Sequence, residues 1–189
     1  MKQKTPGFIT SALLLSIILT ACNDNPQSTA NNDMQESENT TTGNDQLTQE
    51  RLRRFDSLDF QYYNNQQWDS FAISHADDIK VYYPDGTVTT GLHPEHINML
   101  TPLFAFAPDT KITKHPVSFG SGDWTAVIGE MEGTFSKPMD MGNGKVIQPT
   151  GKKFKLTMST IAHWKDGKMT EEYLHWDNHA MMKQIGVAE

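Results

Sequence analysis

The sequence predicts an α+β fold in which a curved antiparallel sheet wraps around N-terminal helices. Two observations support this class: residues 48–64 have apolar side chains at helical spacing, and long strand-like segments follow from residue 111 onward. Elements that run helices first and then an antiparallel meander are typical of α+β domains. Residues 48–189 are about 140 residues, enough for one domain with its own core. We see no internal repeat.

The helical segments are predicted from capping residues, prolines and apolar spacing. Thr48 can cap the first helix, whose apolar face is formed by Leu52, Phe55, Leu58 and Tyr62. A second, short helix is expected over residues 68–75. A third should follow Pro94, over residues 95–106, and end before Pro108. A last short helix carries Met181, Met182 and Ile185.

The strands are predicted from β-branched and aromatic runs that are separated by turns. Residues 79–83 and 87–90 are predicted to form a hairpin around the Pro84-Asp85-Gly86 turn. The longer strands are expected at residues 111–119, 124–135, 153–164 and 169–176. The Asp166-Gly167 pair favours a tight turn between the last two. Residues 136–151 are rich in Met, Pro and Gly, and we expect them to form a mobile flap.

The first 21 residues have the organisation of a secretory signal. Lys2 and Lys4 precede an apolar run over residues 8–19, which is shorter than a typical transmembrane helix. The tetrad Leu19-Thr20-Ala21-Cys22 resembles a bacterial lipobox, in which the cysteine thiol receives a diacylglycerol. Cys22 is the single cysteine of the chain, so no internal disulfide can form. The alternative is an ordinary secretory peptide with an incidental cysteine.

Residues 22–47 predict a lipidated cysteine followed by a disordered tether. The segment is dense in polar side chains and cannot bury enough apolar surface to order itself. Removal of residues 1–21 takes two lysines and no acid, so the net charge changes from −7 to −9. This acidity excludes a nucleic-acid interface, which needs a basic stripe. The predicted domains are therefore 1–21, 22–47 and 48–189.

Ionisable side chains cluster at the C-terminal end of the chain. Because strand side chains alternate, Tyr173, His175 and Asp177 should share one face, and Leu174 and Trp176 the other. A carboxylate beside tryptophans could be an acidic group in a pocket. It could equally be one half of an ion pair on the surface.

Short segments spread in order over residues 52–187 resemble one protein family. They are YNNQQWD (63–69), HADD (75–78), YPDGTV (83–88), Gly91, GTF (133–135), PTGK (149–152), Phe154, DGK (166–168), EE (171–172), WD (176–177) and QIG (184–186). Together they resemble the SnoaL-like polyketide cyclase, or ester cyclase, family of the NTF2-like superfamily. The resemblance implies a cone-shaped α+β barrel and a dimer. It also implies cofactor-independent intramolecular aldol closure of polyketide esters.

The resemblance also implies catalytic positions. Family members use an aspartate late in the last strand and a histidine on the preceding strand, positions that correspond to Asp177 and His163. Asp177 would remove a proton alpha to a carbonyl, and His163 would donate a hydrogen bond to the enolate oxygen. The chain departs from the family at Phe135, where many relatives have histidine, and at residues 137–139, so the substrate stays open.

Four side chains are candidates for lining and positioning a substrate: His175, Tyr83, Trp68 and Trp176. Each candidate role has an alternative. Asp177 immediately precedes the last helix, where an aspartate is a favoured cap. His163 could be a satisfied core histidine and His175 a structural one.

Two other function classes stay open. A cone without an acid–base pair would bind a hydrophobic small molecule or serve as a dimerisation platform, and Met139, Met141, Met181 and Met182 suit adaptable contacts. A zinc site over His175, Asp177 and His179, with His93 and His96 as a second pair, is less favoured, because the helix start should turn His179 away.

We therefore expect an exported lipoprotein that carries one SnoaL-like domain and acts on a small hydrophobic carbonyl compound. No metal and no cofactor are expected, and there is no phosphate loop or nucleophile elbow in the sequence. The expected partners are a hydrophobic ligand, a second copy of the chain, and the membrane through the lipid on Cys22. The protein should face the periplasm or another extracytoplasmic side, on the outer membrane if the host is Gram-negative.

Overall fold

The computed structural model describes residues 45–189. The signal segment, Cys22 and residues 22–44 of the predicted tether lie outside the described residues. The predicted domain start at Thr48 falls inside the first helix, which is already helical at residue 45. Among the described residues, no helix is both long enough and apolar enough to cross a membrane.

Helices form at each position where the sequence predicts one, although their geometry is more varied. Helix α1 covers residues 45–57 and continues as a π-helix over Leu58–Tyr63. A 3₁₀-helix follows at Trp68–Ile73, so His75 already belongs to a strand. A π-helical turn at Leu92–His96 leads into α2 at Ile97–Phe106. Helix α3 spans Asn178–Gln184.

The main sheet has six strands in the order β2-β1-β8-β7-β4-β3. These strands are β1 (His75–Tyr82), β2 (Val88–Thr90), β3 (Lys111–Ser121), β4 (Trp124–Thr134), β7 (Lys153–Lys165) and β8 (Lys168–His175). Five long strands, of 8 to 13 residues, pair side by side. Strand β4 alternates buried and less buried residues along its whole length, as expected for a sheet with one covered face. The described strands form an open sheet that does not close into a barrel.

Two features of the sheet correct the sequence prediction. Strand β1 pairs with β8 in parallel, with Tyr82 opposite Tyr173, so the sheet is mixed and not wholly antiparallel. The predicted flap contains a small hairpin of its own, in which β5 (Met139–Asp140) pairs with β6 (Val146–Ile147). Neither feature has a strong local signal, because β5 and β6 have two residues each and parallel pairing depends on distant chain segments.

The core lies between the helices and the inner face of the sheet. Phe55 of α1, Phe71 of the 3₁₀-helix and Trp164 of β7 are almost fully buried there. The Trp164 indole donates a hydrogen bond from Nε1 to Thr125 Oγ1 at 2.8 Å, which satisfies its one polar atom inside the core. The helices pack on the inner face of the sheet, and the candidate site lies between the two.

Candidate functional site

A cavity of about 220 Å³ lies between the helices and the inner sheet face. Its wall is mostly apolar and aromatic, as is common for small-molecule sites. The polar side chains that reach it are few: Asp59, Tyr63, His75, His96, Thr160, Glu172 and Asn178, with the Trp176 indole. The chemistry of the site therefore depends on these few groups.

One polar group of the wall joins Glu172 to two histidines. Glu172 projects inward from β8, His75 begins β1, and His96 ends the π-helical turn before α2. Glu172 Oε2 lies 3.8 Å from His75 Nε2 and 3.6 Å from His96 Nε2. The three residues are at most 4 % exposed. They are the one set of three or more metal-ligating side chains found within residues 45–189.

The far ring nitrogen of each histidine is held by an oxygen atom. His75 Nδ1 lies 3.1 Å from the Phe71 carbonyl oxygen and 3.1 Å from Ser74 Oγ. His96 Nδ1 lies 2.7 Å from the Tyr83 hydroxyl. Because a carbonyl oxygen can only accept, His75 carries its proton on Nδ1 and presents Nε2 to the carboxylate.

Burial and the contacts between neighbouring groups together set the charge states of these residues. Burial lowers the pKa of His96 to about 4 and raises the pKa of Tyr83 to about 12. For Glu172, burial alone would raise the pKa, but His75 and His96 outweigh it and lower the pKa. A neutral His96 ring therefore faces an ionised carboxylate at neutral pH.

A second polar group connects the cavity to the outside. His115 of β3 lies between two carboxylates of the first helical segment: its Nδ1 is 2.7 Å from Asp56 Oδ1, and its Nε2 is 2.9 Å from Asp59 Oδ2. The Asp56 side chain is 51 % exposed, and that of Asp59 is 11 % exposed. The chain Asp59–His115–Asp56 is thus a hydrogen-bonded path from the cavity to solvent.

Asp59 and His115 have shifted proton affinities. Burial raises the pKa of Asp59, and the hydrogen bond and charge of His115 offset only part of that rise. Burial alone would lower the pKa of His115, but the two carboxylates outweigh it and raise the pKa. A buried carboxylate with a raised pKa is a stronger base than a solvated one.

A family model for the SnoaL-like polyketide cyclases matches residues 53–185. The chain belongs to the SnoaL-like polyketide cyclase family. The family predicted from the motif order is thereby confirmed. No curated protein matches the chain.

Solved structures of the same architecture are also similar to this chain. A proposed SnoaL-like polyketide cyclase from Jannaschia sp. CCS1 has a TM-score of 0.64 at 16% identity, with 76% of this chain and 96% of that chain covered. IdmH of Streptomyces antibioticus, a proposed polyketide cyclase, has 0.62 at 23% identity, with 72% and 99% covered. AclR of Streptomyces galilaeus, a proposed hydroxylase, has 0.62 at 16% identity, with 75% and 88% covered. At these identities the likeness shows the shared fold.

The two catalytic positions predicted for this SnoaL-like domain lie outside the cavity wall. Asp177 is exposed and caps α3, since its Oδ1 accepts a hydrogen bond from the Ala180 amide at 2.9 Å. His163 is half-buried on the outer sheet face, where its ring packs on Trp124 with centroids 4.5 Å apart. The expectation that Asp177 faces an apolar interior is therefore not met. Its catalytic role stays a prediction from the family resemblance.

The four predicted lining residues are divided between different environments. Trp176 lines the cavity, as expected. Tyr83 is buried behind it and contacts the site through His96. Trp68 packs on Tyr63 at a centroid distance of 6.1 Å, so it supports the wall from behind. His175 is exposed on the outer side of β8.

The predicted alternation of β8 is correct, but the inner face is the other one. Glu172 and Leu174 are buried and Trp176 follows them into the cavity, whereas His175 and Asp177 are exposed. Glu172 is not among the residues predicted for the site. Its signal in the sequence is an acidic residue at alternate positions with Leu174 and Trp176.

Three further site residues were also missed: Asp59, His115 and His75. Asp59 lies four residues after Phe55, on the apolar face of the first helix, which is an unusual place for a solvated acid. Nothing local in the sequence points to the two histidines.

Proposed function

We propose that this SnoaL-like protein performs acid–base catalysis on a small hydrophobic carbonyl compound in the cavity, with Asp59 as the base. The observation that carries the proposal is the path Asp59–His115–Asp56. Asp59 would accept a proton from the carbon alpha to the carbonyl, and the path would let that proton equilibrate with solvent. The class of reaction is aldol closure, isomerisation or a related hydrolysis.

Desolvation supports Asp59 as the base. Its carboxylate is 11 % exposed in an apolar cavity, and a base is most effective when its pKa approaches the working pH. His115 holds one oxygen of Asp59 at 2.9 Å, which leaves the other oxygen for the substrate.

Tyr63 would stabilise the enolate oxygen that forms when the alpha proton leaves. It lies one turn after Asp59 and reaches the same cavity. Its hydroxyl contacts Met131 Sδ at 3.6 Å, a weak acceptor, so its proton is available to a carbonyl oxygen. Burial raises the pKa of Tyr63, which keeps the phenol protonated. A hydrogen bond of this kind would stabilise the enolate oxygen.

The test is exchange of alpha protons into D₂O. Hydrophobic ketones and β-keto esters would be incubated with the protein, and deuterium uptake followed by mass spectrometry. Asp59→Asn should slow the catalysed exchange by roughly 100-fold or more, the usual size of an acid–base contribution. Asp69→Asn, at an exposed aspartate ten residues further on, is the matched control. Equal rates for both variants would refute the proposal.

The family-based prediction for Asp177 and His163 is tested in the same assay. The base is Asp177 if Asp177→Asn slows exchange by roughly 100-fold or more and Asp59→Asn leaves the exchange rate unchanged. His163→Gln distinguishes the two hypotheses further, because it alters the outer sheet face and not the cavity wall. It should slow exchange only if His163 and Asp177 are the catalytic pair.

Ligand binding without turnover is the second candidate function. Four methionines line the cavity: Met99, Met131, Met158 and Met181. Flexible thioethers adapt to ligands of different shape. In that case hydrophobic ligands would bind equally to the wild type and to Asp59→Asn, and neither would catalyse exchange.

We propose that the protein is anchored to the membrane by a diacylglycerol on Cys22, on the periplasmic or another extracytoplasmic side. The basic start, apolar run and lipobox-like tetrad support this. If Cys22 carries the lipid, the protein should partition into detergent and incorporate a labelled fatty acid. Cys22→Ser should abolish the label and release the domain; a Cys22→Ser protein that keeps both would contradict the anchor.

A homodimer through the outer sheet face is also proposed. Phe119, Trp124 and Ile161 point outward from neighbouring strands, and their exposed fractions are 62 %, 42 % and 39 %. Exposed apolar side chains grouped on one face support an interaction surface there. Trp124→Lys should convert a dimer into a monomer in sedimentation, and a wild type that is already monomeric would refute the proposal.

A further inference from the structure

We propose that His75 Nε2, His96 Nε2 and Glu172 Oε2 bind a divalent transition-metal ion of the zinc type at the cavity wall. This site goes beyond the acid–base proposal and does not depend on it, and it departs from the sequence-based expectation of no metal. Two imidazole nitrogens and one carboxylate oxygen are a donor set that zinc and other divalent transition ions accept.

The separations suit a metal ion better than direct hydrogen bonds. Glu172 Oε2 is 3.6 Å and 3.8 Å from the two Nε2 atoms, which exceeds the length of a hydrogen bond. Ligands about 2.0–2.2 Å from one tetrahedral metal lie roughly 3.3–3.5 Å apart. The three ligand atoms are all within 4.8 Å of one another, so small side-chain rotations complete the site.

Two of the three ligand atoms have no other partner. Within the described residues, His75 Nε2 and Glu172 Oε2 are buried atoms that lack a hydrogen bond. His75 Nδ1 is occupied by the Phe71 carbonyl, so Nε2 is the nitrogen that faces Glu172. A buried carboxylate oxygen and a buried ring nitrogen that both lack a hydrogen bond call for a further partner, and a bound cation would supply it.

The surroundings resemble the outer contacts of metal sites. The Phe71 carbonyl orients His75, and the Tyr83 hydroxyl orients His96 at 2.7 Å. Such partners fix the tautomer and the direction of the ligating nitrogen. Because all three ligands line the cavity, the remaining coordination positions face the space for a small molecule. A carbonyl or hydroxyl oxygen of that molecule would bind there.

The test is metal binding by the untagged full-length protein in detergent after stripping with a chelator. Zn²⁺ is titrated by calorimetry, and Co²⁺ is added separately to record its visible absorption bands. The expected result is one ion per chain, with cobalt bands of a nitrogen- and oxygen-bound ion. Glu172→Gln should weaken binding more than 100-fold, beyond the 10–100-fold typical of losing an outer partner, and Tyr83→Phe by about that smaller amount.

A control and a second ligand variant guard against misfolding and surface binding. His93→Gln removes an exposed histidine three residues before His96 and should leave the affinity unchanged. His96→Gln should lose the cobalt bands while its circular dichroism stays that of the wild type. The proposal is overturned if no stoichiometric binding is seen, or if Glu172→Gln and His96→Gln bind as the wild type does. It is also overturned if His93→Gln alone removes the ion.

Discussion

Replacing Asp177 with alanine should destabilise the domain by about 1 kcal/mol, whereas asparagine should cost only a few tenths. The structure supplies the reason. Asp177 has an extended backbone, with φ −97 and ψ 97, and its Oδ1 accepts from the Ala180 amide at 2.9 Å. Asparagine keeps that acceptor and alanine removes it.

The loss should be seen in the whole domain because α3 packs on the core. Met181 and Ile185 are 6 % and 0 % exposed, so fraying of the first turn loosens buried contacts. For a domain of this size, 1 kcal/mol corresponds to a shift of roughly 3–5 °C in Tm. Calorimetry and urea unfolding of the wild type, Asp177→Ala and Asp177→Asn would measure the difference.

One result would refute the capping argument: an asparagine variant as unstable as the alanine variant, since the two differ in the capping acceptor. A large loss of alpha-proton exchange in Asp177→Asn at a normal Tm would leave the cap intact and would identify a catalytic carboxylate as well. The pair of substitutions thus separates the two roles that the sequence left open for Asp177.

Three further predictions concern protonation and packing. The ring of His115 should titrate above its ordinary value of about 6.5 in NMR, and Asp56→Asn should lower that pKa by removing a carboxylate 2.7 Å from Nδ1. Because the native state then holds a proton that the unfolded chain releases, urea unfolding should show stability falling from about pH 6.5 upward, by at most about 1.4 kcal/mol per pH unit, and less steeply in Asp56→Asn. Thr125→Val should cost about 1–3 kcal/mol by leaving the Trp164 indole N–H unpaired, and Thr125→Ser should cost less because it keeps the acceptor. Gly133→Ala should cost about 1–3 kcal/mol in thermal unfolding, because a Cβ there would lie 2.7 Å from the aromatic ring opposite on β7; an unchanged Tm would contradict this.

The secondary structure was largely predictable because it depends on neighbouring residues. The four longer strands begin and end within two residues of the expected bounds. The differences occur where local preference is weak or is overridden by packing. Residues 58–63 widen into a π-helix, and the two-residue strands of the flap are too short to leave a pattern.

The candidate site was less predictable because its members are far apart in sequence. His75, His96 and Glu172 come from three elements, and the parallel pairing of β1 with β8 brings the first and last of these elements side by side. Parallel pairing has no local sequence signature. His115 meets Asp56 and Asp59 only because β3 packs across the first helical segment.

The sequence by itself determined the α+β class, the order of the elements, the family, and the two alternating faces of β8. These properties follow from spacing along the chain and from motifs in a set order. Tertiary structure decided which face of β8 became the inside, and so placed Glu172 in the cavity and left Asp177 as an exposed cap. Both faces carry aromatic and ionisable residues, so the alternating pattern alone does not show which face is buried. The symmetry is broken only when the helices cover one face and remove it from water.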